Sequence, residues 1–300
     1  GRAWLIDASI YIFRAYFSLP ERWHTSDGRP LNAVYGYAGF LVDFLRRMDP
    51  GAYVAAAFDQ SLGSCFRNEI YPDYKASRAL PDEDLAFQLD SCRELTECLG
   101  LPSLGCERYE ADDYIATMAR LCRAQGRPVT VVTRDKDLGQ LIVQPGDRWW
   151  DFAADNELDD AGFFQRFGVY PAQFADYLAL VGDSIDDIPG VPGVGPKSAA
   201  AVLARYPDLD RIEANLDRLS ELDIRGAAKL QQRLSQHWEQ VRLARGLTGL
   251  EAHIPHLDTL PVYVPDAGAV AAFIESLDGL GLSGPLLQRA GKLQNEWESA

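Results

Sequence analysis

Seven carboxylates fall where an apolar run ends or a helical pattern opens: Asp7, Asp59, Glu110, Asp112, Asp113, Asp135 and Asp137. Two carboxylates 4 Å apart repel by about 4 kcal/mol at an effective dielectric of 20. Seven sharing one cleft therefore require cations, and all-oxygen ligands select hard divalent ions, magnesium or manganese. The chemistry open to such ions is activation of water and stabilisation of charge on a phosphoryl group. Singly, Glu110, Asp112, Asp113 and Asp135 also have a plainer use, as caps or dipole partners in the first turn of a helix. Histidine offers no rival, since the four in the chain lie away from these acids, and there is no G-x-S-x-G or readable Cys/His pair.

A second group lies in "VGDSIDDIPGVPGVGPKSAA", residues 181–200, where Asp183, Asp186 and Asp187 precede a glycine-rich turn. The turn approaches the phosphate-binding pattern G-x-x-x-x-G-K-[ST], but Pro196 separates Gly195 from Lys197. What remains is a helix, a tight turn at Gly193, Val194 and Gly195, and a helix starting near Pro196, where proline suits the first position. This helix-hairpin-helix pattern presents amides, with Lys197 beside them, to a DNA phosphate without reading sequence; an ordinary helical corner is the alternative. Arg225, Lys229 and Arg233 recur every four residues and so share one helix face, either solvated or a second contact to a duplex backbone.

The elements that must position these groups can be read from periodicity. Apolar runs "RAWLI", "YVAAAF", "LPSLG" and "VTVVT" alternate with amphipathic segments such as "AVYGYAGFLVDFLRRM" and "DDYIATMARLCRAQG". This predicts an α/β layer with a mostly parallel sheet over residues 1–160, the catalytic unit. Parallel strands end along one edge, which is where open α/β folds build sites, so the acids after the strands converge there. Residues 161–250 read as a helical subdomain carrying the hairpin, and 251–300 as a segment that packs back on the first layer. The stretch 60–84 is long for a connection in a compact fold, hence disordered or functional.

Composition limits the partners. With 47% hydrophobic residues the chain holds a real core, and its net charge of −15 excludes binding nucleic acid by bulk charge alone. Five cysteines without a C-x-x-C pair fit neither a disulfide framework nor a zinc site. No 18-residue apolar span or signal cleavage site is present, and the expected setting is the cytoplasm, without a membrane.

Taken in order, "LIDASIYIFRAYF", "AVYGYAGFL", "AAFD", "FRNEIYPDYKASR", "YEADDYIA", "TRDKDLGQL" and "LVGDSIDDIPGVPGVGPKSA" resemble the bacterial 5′-nuclease family, which includes the N-terminal nuclease domain of DNA polymerase I and stand-alone 5′-3′ exonucleases and is related to flap endonucleases. The resemblance runs from Arg2 to about residue 288. It implies a PIN-like fold and two metal ions: Asp7, Asp59, Glu110 and Asp112 around the first, Asp135, Asp137, Asp183 and Asp186 around the second, with Asp113 a further acidic match. Stretch 60–84 corresponds to an arch over the site, where Lys75, Arg78 and Arg67 match positions that meet the scissile phosphate and 5′ strand; Arg14 resembles another phosphate contact. Asp112 and Asp183, with Lys75 and Arg78, carry the catalytic assignment. Potassium at the hairpin would sit on backbone carbonyls of Pro189, Val191 and Val194. Asp187 is left as a helix-end or surface carboxylate. Two departures stand out: Ala-Ser-Ile after Asp7, and Gly139 where an aromatic is common.

The expected activity is hydrolysis of DNA at 5′ ends and 5′-flap junctions, by a monomer acting on flap, nick or gap DNA in replication and repair near the bacterial nucleoid. The rivals are a structure-specific DNA-binding protein with an unproductive acid cluster, and a phosphatase or RNase on the same kind of layer.

Overall fold

Successive apolar residues of the central strands point to opposite faces of the sheet and build two cores. The computed structural model describes residues 1–49, 51–60, 63–263 and 266–299. Its sheet has strands β1 (Ala3–Asp7), β2 (Tyr53–Ala57), β3 (Ser103–Leu104), β4 (Val129–Val132), β5 (Arg148–Asp151) and β6 (Asn156–Leu158) in the order β3-β2-β1-β4-β5-β6. All pairings are parallel except β5 with β6. The two last strands were not expected from sequence: "RWWD" and "NEL" are too short to show a period, and β6 has no alternation to detect.

Leu5, Ala55, Val131 and Trp149 point to one face, and Ile6, Ala56, Val132 and Trp150 to the other. The second face is covered by α1 (Ala8–Ser18), α2 (Asn32–Leu45), α4 (Glu83–Cys98), α12 (Ala267–Gly279) and α13 (Pro285–Glu298). The first is covered by α5 (Ala111–Ala124) and continues into α6 (Asp160–Phe167), α7 (Phe174–Val181), α8 (Pro196–Arg205), α9 (Leu209–Glu213), α10 (Ala227–Gln236) and α11 (Trp238–Thr248). One core thus runs without a break from the sheet into the helical C-terminal half. Phe273, Leu286 and Leu293 place the last two helices in the other core. The expected fold class, a mostly parallel sheet flanked by helices and then a helical unit, is the one observed.

Before α4 starts at Glu83, the only helix among the described residues of the stretch 60–84 is α3 (Phe66–Ile70); Pro72 to Ser77 form turns and residues 79–82 have no regular structure. Ser61 and Leu62 lie outside the described residues. Among the described residues no helix is long and apolar enough to cross a membrane.

Candidate active site

The chain runs from β1 to β2 to β3 on one side of the sheet and returns to β4 on the other side of β1, so the order reverses between β1 and β4. A cleft opens at such a switch point, beyond the strand ends. Asp7 is the last residue of β1, Asp59 follows β2 and Asp135 follows β4. Each is fixed by a local donor. Thr133 Oγ1 donates to Asp7 Oδ2 at 2.8 Å and accepts from the Asp135 N–H at 2.9 Å. Asp59 Oδ1 accepts from the Ala111 N–H, 2.8 Å, tying β2 to the free amides that open α5. The Asp59 N–H in turn donates to Ser9 Oγ at 2.8 Å, which gives the Ala-Ser-Ile departure a role: the small hydroxyl fits between the two strand ends.

Electrostatics bind these acids together. Burial, with Asp59 adding, pushes the Asp7 carboxyl up to about 7. Burial also raises Asp112 well above the carboxylate range, reinforced by Asp135, Asp7 and Asp59. Asp59 rises through burial, against the pull of Lys75. Glu110, though buried, is lowered because Lys75 and Arg67 face it. Tyr74 Oη donates to Glu110 Oε2 at 2.9 Å, and Lys75 Nζ reaches Oε1.

The second set is arranged in the same way. Asp135 Oδ1 caps the 3-10 turn Lys136–Leu141 by accepting the Asp137 N–H, 2.8 Å. Asp183 lies beyond α7, where its N–H and C=O form a two-way bridge with Ile188 at 2.9 and 2.8 Å. Lys136 Nζ spans the two, 3.0 Å from Asp137 Oδ1 and 2.9 Å from Asp183 Oδ2. Burial and then Asp135 push Asp137 up to about 7. Asp183 is lowered, because the Lys136 hydrogen bond and charge exceed the opposing effect of burial. Arg78 Nη2 donates to Asp186 Oδ1 at 2.5 Å, and Lys75 Nζ stands 3.8 Å from Oδ2.

Eight acids therefore face one cleft. Among the described residues no three His, Cys, Asp or Glu side chains already surround a single point as metal ligands. The reason is visible in the contacts: lysines and arginines of the chain sit on Glu110, Asp137, Asp183 and Asp186. All-carboxylate donors at this density fit hard divalent ions that keep part of their water.

Four expectations need correction. Arg67 is not a DNA contact. It is 1% exposed and buried between α3, α5 and α11, donating to Glu110 Oε2 (2.8 Å), both Asp113 oxygens (2.7 and 2.8 Å) and the carbonyls of Leu247 and Gly249. Asp113 is not a metal ligand, since it is fully buried on Arg67 and accepts the Glu110 and Glu251 N–H groups. Arg225 precedes the Gly226 cap of α10, so only Lys229 and Arg233 share a helix face. No helix ends directly before the hairpin turn: α7 stops at Val181, and a fourteen-residue bend (182–195) intervenes.

The hairpin itself starts α8 at Pro196, with Gly193 at φ +74°. The Val194 N–H donates to the Val191 carbonyl at 3.0 Å; Val191 and Val194 are buried and Pro189 is half-buried. Arg233 Nη1 donates to the Gly193 carbonyl, 2.8 Å. Arg14 and Lys197 are exposed. A Cβ on Gly139 would lie 2.0 Å from the Phe163 ring, so an aromatic from α6 fills the space that residue 139 leaves.

A cavity of about 500 Å³ adjoins the first group, lined by Phe13, Tyr16, Phe17 and Leu80 on one side and Lys75 and Arg78 on the other. Sequence reasoning missed its aromatic wall, and also Thr133, Tyr74 and Lys136. The signals existed, because Lys136 sits within "RDKD" and Tyr74 precedes Lys75, but neither spacing shows which way a side chain turns.

Comparison with known proteins decides the family. The 5′-3′ exonuclease N-terminal resolvase-like domain matches residues 2–168, and the 5′-3′ exonuclease C-terminal SAM fold matches 169–266. The chain belongs to the 5′-3′ exonuclease family. It is 36% identical over 283 residues to DNA polymerase I of Rhizobium leguminosarum (91% of this chain, 27% of that protein). It is 34% identical over 297 residues to the thermostable DNA polymerase I of Thermus aquaticus (98% and 34%). It thus spans about a third or less of these relatives. The fold is shared with bacteriophage T5 5′-exonuclease bound to zinc (TM-score 0.67, 20% identity, 99% of both chains). It is also shared with the Rad2 catalytic core in complex with DNA substrate (TM-score 0.64, 15% identity, 100% of this chain and 92% of that one).

Proposed function

We propose that this chain is a structure-specific 5′ nuclease that hydrolyses DNA phosphodiesters at 5′ ends and 5′-flap junctions. One observation carries the reading: eight carboxylates, buried or half-buried, meet at the sheet's switch point with Lys75 and Arg78 beside them. Magnesium or manganese held there would lower the pKa of a water and offset charge building on the phosphate. Asp7, Asp59, Glu110 and Asp112 are the proposed holders of one ion, and Asp135, Asp137, Asp183 and Asp186 of the other. Lys75 and Arg78 orient the scissile phosphate and balance its developing charge, so that the P–O3′ bond breaks in line and leaves 5′-phosphate and 3′-hydroxyl ends. The Phe13, Tyr16 and Phe17 wall takes a base by stacking while the two cations hold its phosphate.

Further from the cleft, Gly193, Val194 and Gly195 with Lys197 hold a duplex phosphate by amides and charge, and Lys229 and Arg233 add contacts. Pro189, Val191 and Val194 carbonyls are the proposed seat of a potassium ion. The working form is a monomer in a bacterial cytoplasm, serving replication and repair. A labelled 5′-flap duplex with magnesium tests this, using the parent and the Asp183→Asn and Lys75→Ala variants. Cleavage that falls at least about a hundredfold in each variant supports the roles; DNA binding without any turnover by the parent would make the chain a binding protein.

A further inference from the structure

Lys75 and Arg78 lie in a segment, Pro72 to Pro81, that has neither helix nor strand to hold it. Besides Tyr74 and Lys75 on Glu110, three hydrogen bonds to the 183–188 loop take that place. The Lys75 N–H donates to the Asp186 carbonyl at 3.0 Å, the Ser77 N–H to Asp187 Oδ2 at 2.8 Å, and Arg78 Nη2 to Asp186 Oδ1 at 2.5 Å. The two segments meet at unusual backbone on both sides. Lys75 and Asp187 each have φ +55°, and Asp155 is the one other non-glycine residue with positive φ among the described residues. Such conformations persist where surrounding contacts over-determine them.

The two strained residues act on each other's segment. At Lys75 the left-handed turn lets its N–H meet the loop while its Nζ reaches Glu110. At Asp187 the turn brings the chain back to Ile188, which closes the bridge with Asp183, and leaves the carboxylate facing Ser77. Asp187 forms no ion pair among the described residues and does not join the acids of the cleft. The contacts it makes are with the arch: it accepts the Ser77 N–H, with the Ser77 hydroxyl and the Arg78 charge also drawing on the carboxylate. We propose that Asp187 is a positioning residue, a latch that holds the Ser77 amide and so keeps Lys75 and Arg78 over the carboxylates. What the latch positions rests on the nuclease reading above; the latch itself does not.

Three variants separate acceptor from backbone. Asp187→Asn keeps an acceptor and tolerates the left-handed region, Asp187→Gly keeps the conformation without an acceptor, and Asp187→Ala keeps neither. Hydrogen exchange of residues 72–82, in metal-free and DNA-free protein, is the first reading. The Gly and Ala variants should exchange at least about fivefold faster than the parent, and the Asn variant within about twofold of it, with global melting unchanged in the Gly and Asn variants. Single-turnover cleavage of a magnesium-loaded 5′-flap duplex is the second. The Gly variant should be about tenfold slower with duplex Kd held within about twofold, a split that general destabilisation does not produce. Unchanged exchange in the Gly variant overturns the latch, as does an Asn variant that behaves like Ala. A parent that does not cleave overturns the nuclease reading alone, because the exchange result stands without it.

Discussion

Arg67 and Lys136 show what one residue can and cannot disclose. Both are basic and both pair with acids of the site, but burial decides their roles. Arg67 is 1% exposed with all its donors directed to Glu110, Asp113 and two carbonyls, so Arg67→Gln leaves the buried Asp113 without a cation and Glu110 with Lys75 alone. The expected loss is about 3–5 kcal/mol in chemical denaturation. Arg67→Lys should recover little of it, since one ammonium cannot reproduce the planar fork; a surface DNA contact would show neither result. Lys136 is partly exposed and bridges Asp137 and Asp183, so Lys136→Met should lower the melting temperature by about 2–4 °C in chelator, with added manganese narrowing the gap. The pH dependence has a definite sign. Burial pushes the Asp7 and Asp137 carboxyls in the native state up to about 7 from the ordinary 3.8, so between about pH 4 and 7 the native state binds more protons than the unfolded one. Stability of the metal-free protein therefore falls as pH rises through that window. Glu110 and Asp183, lowered, lose their contribution only on the acid side of it. Melting in chelator should be lower at pH 7.5 than at 5.5 by a few degrees, and magnesium should restore more at the higher pH, because its ligands must be deprotonated. A flat profile would mean the acids do not share one desolvated cleft.

Elements were legible in proportion to their length and period. β1, β2 and β4 carry three to five apolar residues each and can be read directly, with Asp7 at the end of β1 and Asp59 and Asp135 just beyond β2 and β4. β5 and β6 cannot, and the spacing around 181–200 predicts a helix, turn and helix where the structure has a long bend between α7 and α8. What makes that bend is close backbone approach, which spacing does not reveal. A Cβ on Gly190 would lie 2.1 Å from the Val181 carbonyl oxygen, and Gly182, at φ +77°, passes 2.3 Å from the Gly190 nitrogen by the same measure. This crossing fixes where Asp183 leaves α7. Gly190→Ala should accordingly cost more than about 2 kcal/mol and reduce ion binding, since backbone on both sides must move. Gly195→Ala is the control: nothing lies within 4 Å of its added Cβ and its φ of −103° is ordinary, so stability should stay within about 0.5 kcal/mol. Calorimetry on the pair checks the contrast; equal losses would show that the crossing is not what holds the bend.

At the scale of the whole molecule, a chain of net charge −15 is proposed to hold a polyanion, and the distribution of its cations shows how. Arg67, Lys75, Arg78 and Lys136 are all engaged by acids of the cleft, so they add little attraction before ions bind. Arg14, Lys197, Arg225 and Lys229 form no salt bridge among the described residues and are exposed; Arg233, also exposed, gives one donor to Gly193. The core shared by the sheet and the helical half keeps Lys197, Lys229 and Arg233 in fixed relation to the paired cations of the cleft, which suits the proposed path of a duplex. Each phosphate neutralised contributes about −0.9 to the slope of log K against log salt, so four or five free cations imply about −4, far less steep than a protein that binds by bulk charge. Replacing Lys197 and Lys229 together by alanine should flatten the slope by about 2 and weaken all duplex substrates alike, because these contacts hold backbone and not bases. Titrations of a labelled duplex across potassium chloride concentrations, in chelator, measure both quantities. A parent slope near −10, or a double variant with the parent's slope, would place the duplex on some other face of the molecule.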